Sequence, residues 1–131
     1  MSFVSVIVAG IAAFGFGAIW YTVLGQKWMT ASGVPVGEDG QPANQKDPVP
    51  YVTSLICAVL VAGMMRHVFE LSAIDTFGKG LMSGFGIGLF MVSPWIATFY
   101  GFSARPRQLL WIDGGYATFG CALIGAVLTL F

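Results

Sequence analysis

The chain has 131 residues, of which 56% are hydrophobic and only 9% charged, at a mean hydropathy of +0.81. Soluble domains carry about 25% charged residues, so a water-soluble fold is excluded. Six basic and six acidic residues cancel, which leaves no positive field to attract nucleic acid and removes that class of function.

The first apolar run predicts a helix over residues 3–24. A cleaved signal peptide would need a basic leading segment, and Met1, Ser2 and Phe3 provide none. The run also continues into Trp20 and Tyr21, aromatics that favour the interface at the end of a retained span. A polar segment over 25–48 comes next, rich in Gly and Pro, and is expected to be irregular. A second helix is predicted over 49–71, ending in Arg66, His67 and Glu70, which read as a solvated helix end. A third is predicted over 78–101, interrupted by Pro94, which cannot donate a backbone hydrogen bond and should kink or open the helix. A fourth spans 108–131. Roughly 20 residues cross the hydrocarbon layer, so each of the four is long enough, and the fold class is an all-α membrane protein built as a four-transmembrane-helix bundle.

Lipid offers no hydrophobic gain for helix association, so small residues that let backbones approach must provide it. The third helix carries Gly80, Gly84 and Gly88 at spacing four. The fourth carries Asp113, Ala117, Cys121 and Gly125 at the same spacing. Packing inside the bundle is the favoured use of the glycine stripe; contact with another chain is the alternative. Cys57 and Cys121 lie within predicted spans and read as small packing residues rather than as a disulfide or metal framework.

The loops preceding the second and fourth helices share one face of the membrane and hold Lys27, Lys46, Arg105 and Arg107, against Arg66 and Lys79 on the other. The positive-inside rule then places both termini outside. All four Trp and all four Tyr fall toward that same loop end. The aromatic end is therefore where a working surface is expected.

Ionisable groups near lipid are the default functional candidates, because burying them is costly. Asp113 is the foremost, lying near the start of the fourth helix. It reads first as a helix cap or as a partner of Arg105 or Arg107, and second as a ligand or proton site. Tyr116 shares its helix face, and Trp20, Tyr21 and Trp95 come from other helices at comparable depth, so the five could form a polar pocket opening toward the first loop. No catalytic, cofactor or metal motif is present, and an enzyme is the least favoured class.

The segments Gly17-Ala18-Ile19-Trp20-Tyr21, Gly25-Gln26-Lys27-Trp28-Met29 and Ile112-Asp113-Gly114-Gly115-Tyr116 together resemble the small bacterial membrane proteins catalogued as domain of unknown function 1761. The likeness covers nearly the whole chain. It implies a multi-pass protein of the bacterial inner membrane, with the lipid bilayer as its surroundings, and brings no activity with it. The family pattern usually has Asn at the place of Asp113, a departure that weakens any role needing a negative charge there, since a neutral amide would serve family members equally well.

Two readings result. The first is a non-catalytic accessory, scaffold or homo-oligomeric subunit acting through helix packing, with the glycine face of the third helix meeting a membrane-protein partner or a second copy. The second is a small oligomeric transporter or channel-like bundle that uses the aromatic pocket and Asp113. The first is preferred, because small multidrug transporters of this size carry their acid in the middle of the first helix, where this chain has none.

Overall fold

A helix satisfies its own backbone hydrogen bonds, which is why apolar segments in lipid adopt it. The computed structural model describes residues 1–131, and four helices in it are long and apolar enough to cross a membrane: α1 (Phe3–Val23), α3 (Pro48–Leu71), α4 (Phe77–Phe102) and α5 (Arg107–Leu128). This is the architecture of a multi-pass membrane protein. A fifth, short helix, α2 (Gly25–Ser32), comes directly after α1.

The boundaries reflect local chemistry. Asp47 caps α3, its Oδ1 accepting from the backbone N–H of Val49 at 3.0 Å, and Pro48 occupies the first turn, where a missing N–H costs nothing. Thr76 caps α4 by accepting from the N–H of Lys79 at 3.3 Å. The polar segment departs from the expected irregular form in its first third. The residues from Gln26 to Ala31 contain no breaker, so they coil into α2, which ends at Gly33 in the left-handed region at φ 68°. The glycines and prolines act only beyond that point, where Gly37 donates to the Gln41 carbonyl across a tight turn with Gly40 at φ 76°.

α5 is the axis of the bundle. Half of its most apolar stretch is buried, against 11% for α3. It packs against α4 on one side and α1 on the other, while α3 leans chiefly on α1. Gly80, Gly84 and Gly88 all face α5: a Cβ on each would collide with the carbonyl oxygens of Gly125, Cys121 and Ala117 respectively. The stripe expected as an intermolecular surface in the subunit reading is therefore occupied within the chain, by the matching stripe of α5.

A core of Val6, Ala9, Ala13, Ala62, Met65, Phe69, Cys121, Ile124 and Leu128 joins α1, α3 and α5 at the end of the bundle that holds the termini. At the opposite end α3 stands away from α5, and no core residue of α3 precedes Ala62. The bundle is closed at one end and open at the other.

α4 is not a uniform helix. Residues Gly88–Val92 form a π turn in which the N–H of Ser93 reaches the carbonyl of Gly88, immediately before Pro94, whose missing N–H breaks the regular ladder. The Ser93 hydroxyl donates to the same Gly88 carbonyl at 2.7 Å and lies 3.2 Å from the Gly114 carbonyl on α5.

Candidate binding site

The open end is organised around Asp113. Its Oδ1 accepts from the Tyr21 hydroxyl of α1 at 2.6 Å, and its Oδ2 accepts from the Tyr100 hydroxyl of α4. One carboxylate thus ties three helices together. The geometry stems from helix direction, since a Cα–Cβ bond tilts toward its helix N-terminus. α1 and α4 run toward the loop end, so Tyr21 and Tyr100 point back into the membrane; α5 runs the other way, so Asp113 points up to meet them.

Neither expected structural role of Asp113 is found. α5 begins at Arg107 with Pro106 at its cap position, so Asp113 lies inside the helix. Arg105 donates instead to the Ser32 carbonyl at 2.6 Å, with its guanidinium 5.9 Å from the Tyr100 ring centre. Asp113 takes part in none of the ion pairs, which are confined to the far end and to Asp75–Lys79.

Beside this clasp lies a groove of about 710 Å³, bounded by α1, α2, the chain from Gln41 to Gln45, and the first turns of α3, with Asp113 and Tyr116 at its inner wall. Gln26, Gln41, Asn44 and Gln45 offer amides along it. Trp28 stands edge-on to Tyr21 at 6.1 Å between ring centres, and Tyr116 edge-on to Tyr21 at 5.5 Å. The Tyr116 hydroxyl donates to the Ala13 carbonyl at 2.8 Å, which locks the ring against α1, and Gly17 is the position that leaves room for it: a Cβ there would lie 2.8 Å from the Tyr116 oxygen.

Of the five residues expected to meet, Asp113, Tyr21 and Tyr116 do so in the groove. Trp20 is adjacent but points into the α1–α5 contact, its indole N–H donating to the Ile112 carbonyl at 3.0 Å and its ring covering Gly115. Trp95 does not join them. It is 64% exposed and stacks on Phe99 along the outside of α4, with ring centres 5.8 Å apart. The π turn explains this. In an uninterrupted helix at about 100° per residue, Trp95, seven residues beyond Gly88, would face α5. The extra residue of the π turn rotates the remainder of α4, so Ser93 and Tyr100 face α5 and Trp95 faces outward.

Tyr100 and Trp28 are the participants that sequence reasoning placed only in the aromatic belt. The signal for Tyr100 lay in the short α4–α5 connection, which makes the two helices antiparallel neighbours. No three His, Cys, Asp or Glu side chains converge to hold a metal ion. What the arrangement offers is a semi-enclosed surface that is aromatic, amide-lined and carries a single acid.

An all-helical, four-span membrane protein with an acid clasped between tyrosines beside an interfacial groove is the class that fold and site define. The family model described as "Protein of unknown function (DUF1761)" matches residues 4–129, and the chain belongs to that family. No curated protein and no solved structure matches the chain.

Proposed function

We propose that this protein is a non-catalytic small-molecule-binding protein of the carrier type, residing in the bacterial inner membrane, which takes an amphiphilic molecule into the groove at the aromatic end. The observation that carries this reading is Asp113: a carboxylate in the wall of a groove, held by two phenols and left without a basic partner. An ionisable group in a span is costly, and a purely structural tie could be made by neutral groups. The groove's volume falls within the roughly 300–1,000 Å³ of small-molecule sites. Its aromatic and amide lining suits a molecule with an apolar body and a polar head. The closed opposite end fits a carrier seen open to one side only.

The test is thermal melting of the protein in lipid nanodiscs against a chemically varied set of amphiphiles. A ligand at about a hundred times its Kd stabilises by about 2.7 kcal/mol. At least one compound should raise Tm in the wild type and fail to do so in Ala18→Trp, whose side chain fills the groove. A set in which every compound acts equally on both proteins would sink the reading.

One observation favours the subunit reading as well. α3 meets little of its own chain beyond α1, which leaves a long outer face for a second copy or another membrane protein. Cys57 is exposed on α3. Association through this face would let a bifunctional thiol reagent join two copies in native membranes, and an absence of cross-linked dimer argues against the homo-oligomeric form.

A further inference from the structure

The groove has one sign of charge. Among the residues that line it, Asp113 is the sole ionisable carboxylate, and neither Lys nor Arg is present. Five of its walls are rings: Phe14, Tyr21, Trp28, Tyr51 and Tyr116. Aromatic faces carry negative quadrupole density and attract cations most strongly where water is excluded. A carboxylate has about four lone-pair positions; the Tyr21 and Tyr100 hydroxyls occupy two of them, so acceptor capacity remains. Nothing basic within the chain uses it. An anionic molecule would meet an unneutralised carboxylate at low dielectric, and a neutral one would leave that carboxylate uncompensated.

We propose that the ligand of the groove is a lipophilic organic cation, its positive centre beside Asp113 and the rings of Tyr21 and Trp28, its apolar body along α1 and the first turns of α3. This rests on the reading of the groove as a ligand site and adds the ligand's charge class to it. Asp113→Asn separates the two, because a carboxamide can accept from one phenol and donate to the other, which keeps the clasp and removes the charge.

The experiment is equilibrium binding to the full-length protein in zwitterionic nanodiscs, corrected with empty nanodiscs, using tetraphenylphosphonium, tetraphenylborate and neutral triphenylphosphine oxide. The first two share shape and size and differ in the sign of their charge. Each is titrated separately, because the two ions precipitate together as a salt; tetraphenylphosphonium is expected to bind saturably and tetraphenylborate not to. Removing one member of a poorly solvated charge pair is costly, so Asp113→Asn should weaken it about tenfold or more, with Tm little changed. Trp95→Ala, on the outer face of α4, should bind as the wild type does. Equal binding of the two ions, preference for the anion or the neutral compound, or unchanged affinity in Asp113→Asn overturns the cation assignment while leaving the groove as a ligand site. Saturable binding of none of the three overturns both.

Discussion

Asp113 shows how much one side chain can hold when helix directions converge on it. At the open end the large buried apolar side chains are few, chiefly Leu109 and Ile112 of α5, and α1, α4 and α5 are tied together there by the Tyr21 and Tyr100 hydroxyls and the Trp20 indole. Hydrogen bonds between membrane helices contribute about 0.6 kcal/mol on average and up to about 1.7. Asp113→Ala should therefore cost about 1 to 3 kcal/mol in reversible unfolding from mixed micelles, while Asp113→Asn should stay within about 1 kcal/mol of the wild type. Equal losses in the two variants would mean that charge, not hydrogen bonding, maintains the clasp. The prominence of Asp113 was legible in the sequence, because a lone acid near a span is conspicuous. Its partners were not. Tyr100 lies two residues from the end of α4 and Asp113 six from the start of α5, depths of about 3 Å and 9 Å. Matching residues by depth therefore separates them; only the opposed tilt of their side chains closes the gap.

At the scale of the helix, glycine spacing was a reliable guide and residue counting was not. The stripe of Gly80, Gly84 and Gly88 and its counterpart of Ala117, Cys121 and Gly125 are both visible at spacing four, and they meet. A methyl group on Gly84 would strike the Cys121 carbonyl, backbone against backbone, whereas one on Gly86 meets nothing within 4 Å. Gly84→Ala should destabilise by about 1 to 3 kcal/mol or more; Gly86→Ala should be neutral or stabilise by up to about 1 kcal/mol. The same unfolding assay checks both, and comparable losses would show that this contact is looser than described. Counting fails at the π turn, since no periodicity announces an extra residue and Pro94 signals only that the ladder is disturbed. Deleting Met91 removes the extra residue and should restore a continuous α-helix with the facing unchanged, since Trp95 then stands six and Tyr100 eleven residues beyond Gly88, which keeps Trp95 outward and Tyr100 toward Asp113. Spin labels at positions 95 and 100 report this by oxygen collision rate: high at 95 and low at 100 in both the parent and the deletion, whereas a reversal would show that the extra residue lies elsewhere in α4. α2 escaped notice because its neighbours' glycines and prolines coloured the whole polar segment, although none falls between Gln26 and Ala31.

Across the whole molecule the contrast is between ends. The half that holds the termini is filled by Met65, Phe69, Ile124 and Leu128, while the aromatic half has fewer large buried aliphatics, Leu109 and Ile112, and is held as well by polar ties around a groove. Regions with few buried apolar contacts open first. Paired spin labels on Thr22 and Ser54, at the groove, should give a broad distance distribution, and labels on Ile7 and Met64, at the closed end, a narrow one. Similar widths would show a bundle of uniform stiffness. Hydropathy made the four spans and their number plain; it could not reveal that one wall stands apart, because outward-facing residues in lipid look like inward-facing ones.

The axial place of α5 also bears on how the protein is made. It is the last of the four spanning helices to leave the ribosome, yet α4 has its main surface on it and α1 touches it almost as extensively as it touches α3. Until it arrives, α1 can pair only with α3, and α4 waits in the bilayer with Gly80, Gly84 and Gly88 bare. Insertion and assembly are thus separate events, and a chain stalled before Arg107 would present a foreign helix with the backbone-deep trough meant for α5.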